Sequence, residues 1–259
     1  MPSENVAASP DRRTRKREAR RDHLLNLADD LVERHGVAGV TMSALAEAAD
    51  YAPASLYTYF PSRSALLAAL QQRALVALGG VARDHLARWD VQLSGRGVPP
   101  QLAALARLWG FSELFLTAPE HHPREFRLQQ QLLVTPGAEE TVDAVTVVPA
   151  AMSVLEVPHE LLRAAVELGV LHAHPGSTDP LGEPLDGEVL RTFAWIVAMN
   201  GALMVDSLST GLPSTGLGLG RELTASLLAG WGASSEHLDA ARAEASQLSI
   251  DGPRRSPVR

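Results

Sequence analysis

Apolar residues three and four positions apart recur along almost the whole chain, and alternating runs are scarce. Leu24, Leu27, Ala28, Leu31 and Val32 set the pattern, which puts one apolar stripe on a helix from about Thr14 to His35. The fold class expected is therefore all-α. With 259 residues, 46% of them hydrophobic, the chain can build one large or two small domains with a real core. Gly36 stands where the first helix stops. Thr41 can cap a second helix, Met42 to Ala49, and Asp50, Tyr51 and Ala52 make a three-residue turn. Pro53 then opens a third helix at the position where its missing N–H costs nothing. Leu56 and Phe60, four apart, point into one core. Pro61 and Ser62 break the chain, and Ser62 can cap a long fourth helix through about Trp89.

Further on, "SGRGVPP" at 94–100 is a loop and the expected boundary between two packing units. The next helix is apolar on two faces, one marked by Leu102, Leu105, Trp109 and Leu116, the other by Leu108, Phe111 and Phe115. Such a helix is enclosed by neighbours. Short helices are expected at 123–134 and 138–155, the latter bent at Pro149, and an amphipathic one from His159 to Leu171. A Pro/Gly-rich loop fills 172–188, followed by helices at 188–209, 218–231 and 234–249. The organisation expected is a disordered leader over 1–13, a three-helix unit over 14–62, a helical body over 63–250 and a disordered tail over 251–259.

Charge is unevenly placed. The net charge is −7, yet residues 11–21, "DRRTRKREARR", hold seven Arg and Lys against two acids. A basic arm on an acidic body suits a local phosphate binder that avoids general stickiness; the alternative is a solvated leader. There is no cysteine, which excludes disulfides and thiolate metal sites and fits a reducing cytosol. The longest apolar run, Phe193 to Met199, extended to Val205, is too short to span a bilayer, and the first residues lack a signal peptide's apolar stretch. No membrane partner is expected, and the location expected is cytoplasmic, at the nucleoid.

Helix, three-residue turn and helix over 41–60, with a first helix beneath, is the helix-turn-helix arrangement, whose second helix lies in the DNA major groove. The stretches "LADDLVERHGVAGVTMSALAEAAD" and "PASLYTYFPSRSALLAAL" resemble the TetR family of bacterial transcriptional regulators over roughly residues 20–70. Gly36, Thr41, the Leu45-Ala46 pair, the Leu56-Tyr57-x-Tyr59-Phe60 run and the Leu66-Leu67 pair sit at that family's spacing. The resemblance implies an N-terminal three-helix DNA-binding domain, a C-terminal helical ligand-binding and dimerisation domain, and repression by blocking polymerase. The family pattern usually has glycine at Asp50, a small aliphatic residue at Tyr51, a serine cap at Ala52 and lysine at Arg63. A missing cap costs on the order of 1 kcal/mol, so the recognition helix is expected to be less rigid before DNA orders it.

The DNA contacts expected follow from this frame. Pro53 opens the recognition helix, and Ala54, Ser55 and Thr58 face base edges. Tyr57, Tyr59 and Arg63 reach phosphates, as do the hydroxyls and free N–H groups at Thr41 and Ser43. Core packing is the alternative for Tyr57 and Tyr59. The groove-facing set has no Arg, Lys, Asn or Gln, so bidentate base pairs are unavailable from it. Specificity is then expected from Arg12, Arg13, Arg15, Lys16, Arg17 and Arg20 entering a narrow minor groove, and from DNA shape.

A unit this small gains affinity by pairing on a two-fold site. Ala194, Ala198 and Ala202 recur every four residues, as do Ala225 and Ala229, which suits a four-helix bundle in a homodimer; packing within one subunit is the alternative. Trp109, Phe111, Phe115, Phe126, Trp195 and Met199 suit a pocket for an apolar or aromatic effector, with plain core as the alternative. "EHHP" at 120–123 and "HAH" at 172–174 lack the acid partners and spacing of a metal site, and neither metal nor cofactor is expected. "GLGLGRE" at 216–222 lacks the preceding strand of a phosphate loop, and no nucleophile elbow occurs, so no enzyme is expected. A DNA-bound adaptor that recruits a protein partner is the other functional class open at this point.

Overall fold

The computed structural model describes residues 12–134, 141–178, 184–207 and 214–249. In chain order the elements are α1 (Arg12–His35), a 3-10 turn at Val37–Gly39, α2 (Met42–Ala49), α3 (Pro53–Leu56) and α4 (Arg63–Gly95). Then follow α5 (Pro100–Leu116), α6 (Ala118–His121), α7 (Pro123–Val134), α8 (Thr141–Glu167), α9 (Gly187–Met204), α10 (Gly216–Gly230) and α11 (Ser235–Ala245). The all-α class holds. The only extended pairing among the described residues is a two-residue antiparallel ladder, β1 (Ser177–Thr178) on β2 (Pro184–Leu185), with Ser177 opposite Leu185.

The described residues divide into two compact units, one of 12–74 with 127–134 and 141–148, the other of 75–126 with 149–178, 184–207 and 214–249. The dividing point falls inside α4, between Ala74 and Leu75, and not at the 94–100 loop or at residue 63. Trp89 and Leu93 of α4 share a core with Leu105 and Leu108 of α5, so the loop merely joins two helices of one unit. A division within a continuous helix has no Gly/Pro signature to read.

The first unit is built on α1. Leu24, Leu25, Ala28, Leu31 and Val32 are buried against Leu45 and Ala46 of α2, Leu56 and Phe60, and Leu66, Leu67 and Leu70 of α4. Gly36 takes φ 67°, a left-handed conformation that favours glycine, and its N–H closes α1 on the Val32 carbonyl at 2.8 Å. Arg73 of α4 donates to the Leu25 carbonyl at 2.9 Å and to Asn26 Oδ1 at 2.8 Å, and pairs with Asp29.

In the second unit α5 is buried from Ala103 to Ala106 and from Leu108 to Ser112. Its Ser112 hydroxyl lies 2.7 Å from the Thr224 hydroxyl of α10, and Trp195 Nε1 of α9 donates to Ser112 Oγ at 3.2 Å. All three side chains are buried. Arg221 meets Glu113 through two 2.7 Å bonds, which hold the guanidinium more firmly charged. Helix α8 runs unbroken where two helices are expected from the sequence, with Pro149 and Pro158 inside it. Val157, Leu161, Leu162 and Ala165 form a buried three-and-four stripe, whose packing outweighs a proline cost of about 3 kcal/mol. By length and composition α4 also matches a membrane span, a property that unbroken apolar runs do not reveal, but half of its most apolar window is buried inside the fold.

Candidate nucleic-acid interface

The turn between α2 and α3 is set by three local devices. Thr41 is extended and accepts a hydrogen bond from the Ala44 N–H at 3.0 Å, capping α2. Asp50 closes that helix in the left-handed conformation, φ 54° and ψ 45°, where most L-residues are strained. Ala52 makes no side-chain cap, and Pro53 occupies the first turn of α3.

Helix α3 is shorter than the 53–60 span read from the sequence. It ends at Leu56, and the chain continues as a tight turn, Tyr59 N–H to the Leu56 carbonyl at 2.8 Å and Phe60 N–H to the same carbonyl at 2.9 Å. Pro61 disfavours helical geometry at Phe60, so the turn after Leu56 does not continue as helix. Leu56 and Phe60 are buried, while Pro53, Ala54, Ser55, Tyr57 and Thr58 are exposed. Tyr57 is 52% exposed, so its ring faces solvent, whereas Tyr59 is half-buried against the core. The Thr58 hydroxyl donates to the Ser55 carbonyl at 2.7 Å. Thr41 and Ser43 are also exposed.

The basic segment is helix rather than flexible arm. α1 begins at Arg12, so Arg12 and Arg13 belong to it and not to a leader; residues 1–11 and the 251–259 tail lie outside the described residues. Arg12, Arg13, Arg15, Lys16, Arg17 and Arg20 are all exposed. Two cations turn toward the end of α3: Arg17 Nη2 donates to the Thr58 carbonyl at 3.1 Å, and the Arg21 guanidinium lies 5.2 Å from the centre of the Phe60 ring. Arg63 departs from its expected role. Its Nε donates to the Val40 carbonyl at 2.6 Å and its Nη2 to the Val37 carbonyl at 2.8 Å, so those donors hold the turn before α2.

The six aromatic and Met side chains read as a pocket lie mostly in the core. Trp195, Met199, Trp109 and Phe111 are core, Phe111 lies 5.3 Å from Trp195, and Phe115 lies 5.9 Å from Phe126. An open groove of about 490 Å³ has other walls: Pro149, Met152, Leu155, Val189 and Phe193, with Ser153, Glu156, His159 and Thr192 as the polar part. The sequence predicts two helices where α8 is one, and that hides its groove face.

The alanine rows differ in burial along their length. Ala194 is exposed, Ala198 half-buried and Ala202 buried, while each four-residue step turns the row by only about 40°. Ala225 packs against the core and Ala229 is exposed. The apolar side chains left outward on α9 are Leu190, Phe193, Val197 and Met204. α9 is apolar on every face, so only its packing reveals which face stays outside.

The glycines of "GLGLGRE" form the first turns of α10, which Thr215 caps by accepting from the Gly218 N–H at 3.1 Å. Gly220 sits against Leu116 of α5, where a Cβ would collide. Among the described residues no group of three or more His, Asp or Glu side chains is placed to hold a metal ion.

A capped helix, a three-residue turn, a short helix anchored by Leu56 and Phe60, and a basic first helix beside it define a helix-turn-helix regulator. Residues 24–70 match the family model described as bacterial regulatory proteins, tetR family, so the family match rests on this domain. The whole fold is similar to solved structures at low identity. RolR in complex with resorcinol is 21% identical, with 91% of this chain and 100% of that one covered and a TM-score of 0.55. SmeT, the repressor of the Stenotrophomonas maltophilia multidrug efflux pump SmeDEF, is 16% identical, with 83% and 91% covered and a TM-score of 0.56. The fatty acid degradation regulator FadR of Bacillus halodurans is 16% identical, with 81% and 98% covered and a TM-score of 0.53. No curated protein matches this chain.

Proposed function

We propose that the protein is a ligand-responsive transcriptional repressor that binds a palindromic operator as a homodimer. The observation that carries this is the exposed Pro53, Ala54, Ser55, Tyr57 and Thr58 surface, with Arg12, Arg13, Arg15, Lys16 and Arg20 on the helix beside it. Ala54 and the Thr58 methyl meet thymine methyls, Ser55 bonds base edges, and Tyr57, Thr41 and Ser43 meet phosphate oxygens. The cations neutralise phosphates and supply most of the affinity, independent of sequence. A protein that binds an operator acts in the bacterial cytoplasm, at the nucleoid.

The outward Leu190, Phe193, Val197 and Met204 of α9 support pairing of two copies on this helix, which spaces two recognition helices about one DNA turn, ~34 Å, apart. A small apolar or aromatic molecule bound in the helical body releases DNA by acting through α4, whose residues both units share. The resorcinol complex of RolR supports a small aromatic effector. The effector must favour the unbound form by about 1–3 kcal/mol to act as a switch.

Selection of bound DNA from a random pool tests the reading. A two-fold symmetric site with half-sites one turn apart is expected. A protein that stays single-copy in solution and enriches no duplex at low salt overturns it. Small apolar compounds that raise the melting temperature and also weaken operator binding identify the effector class.

A further inference from the structure

At 100° per residue, Arg17 and Arg21 fall on the same side of α1 as Leu24, Ala28 and Leu31. They continue the core-facing stripe toward the N-terminus with two cations instead of two apolar side chains. The stripe there meets the end of the recognition helix rather than the interior. Arg17 reaches the Thr58 carbonyl at 3.1 Å, and Arg21 lies over the Phe60 ring at 5.2 Å.

The recognition helix needs such support. It has four residues in α-geometry, no side-chain cap at Ala52 and, after Leu56, a tight turn with mostly three-residue bonds. One of those bonds, Thr58 N–H to the Ser55 carbonyl, is long at 3.4 Å. The Asp50 turn before it is held in a strained left-handed conformation. A charged donor on a carbonyl is stronger than a neutral one, and a guanidinium over an aromatic face is attracted by the ring's negative face.

We propose that Arg17 and Arg21 are positioning residues that pre-organise the recognition helix, while the other cations of α1 are left to meet phosphate. This rests on the DNA-binding reading only for its consequence, because the positioning itself exists in the protein alone. The basic stretch then has two functions: Arg12, Arg13, Arg15, Lys16 and Arg20 attract DNA, and Arg17 with Arg21 fixes the geometry that reads it. It follows that losing Arg17 and Arg21 weakens sequence discrimination, and losing cations of the other five weakens binding to all sequences alike.

Amide hydrogen exchange of the full chain without DNA tests this. In Arg17→Ala/Arg21→Ala, exchange at Thr58, Tyr59 and Phe60 should quicken by on the order of fivefold, the factor one lost hydrogen bond represents, with α5 and α10 unchanged. Arg17→Gln with Arg21→Lys, which keeps a donor and a cation, should restore most of the protection. Arg12→Ala/Arg13→Ala should leave exchange at wild-type values and flatten the salt dependence of duplex binding. Unchanged exchange at Thr58–Phe60 in the Arg17/Arg21 variant overturns the proposal, whatever its DNA affinity. Should the double replacement loosen the whole first unit, Arg17→Ala alone decides by the same three amides. If the wild-type protein binds no duplex, the DNA reading fails, and the exchange data still decide the positioning.

Discussion

The first unit ties its turns with arginines on backbone carbonyls: Arg63 on Val37 and Val40, Arg17 on Thr58. In the second unit a buried cluster of Ser112, Thr224 and Trp195 joins side chain to side chain, beside one buried arginine, Arg191, on the His172 carbonyl. The contrast follows from element length. Three of the first unit's segments are short, so their terminal carbonyls are many and near the surface, where long cationic side chains reach them and keep part of themselves in water. Helices α5, α9 and α10 are long, satisfy their own backbones, and press together through small residues and aromatic rings.

Core truncation breaks that comparison most sharply. Phe60→Ala and Trp195→Ala should each cost about 3–5 kcal/mol in denaturant unfolding, but duplex binding should be lost only with the first. Gly220→Ala comes next: it forces a methyl onto buried Leu116 and should cost about 1–3 kcal/mol, seen as a lower melting temperature. Arg63→Lys should cost about 1–2 kcal/mol, since an ammonium does not reproduce the forked contact to two carbonyls. If Arg63 only braces the turn, the salt slope of DNA binding stays as it was; a phosphate role would show as a slope that falls when alanine replaces it.

The smallest effect lies at a helix start. Asp186 caps α9 by accepting from the Glu188 N–H at 2.8 Å, and that backbone bond holds its carboxyl below the ordinary value of 3.8. Asp186→Ala should cost about 1 kcal/mol at neutral pH. A depressed carboxylate stabilises the fold above its unfolded value and ceases to do so as pH falls through the folded one. The difference between variant and parent should therefore be full at pH 7 and shrink below 3.8 in pH-resolved unfolding.

The devices legible in the sequence are those whose partners are close in the chain. Thr41 reaches Ala44, Ser62 reaches Ala65, Asp50 must turn, and Leu56 with Phe60 must share a side. Arg63 illustrates the limit, because its partners lie 23 and 26 residues away and its charge alone suggested phosphate. The same holds for Arg17, which is one basic residue among seven in its segment until Thr58 is placed beside it. In the body, aromatic content pointed to a pocket at Trp109, Trp195 and Met199, but apolar residues suit a filled core and an empty cavity equally well.

Periodicity, caps and breakers thus determined the helices, the helix-turn-helix and the basic face, because each depends on neighbours within about one turn. Tertiary structure alone decided which apolar face of α9 stays outward, which aromatics fill the core, where the two units divide along α4, and which arginines turn inward. Those outcomes depend on what packs against each helix, and a residue's own type does not name its neighbour.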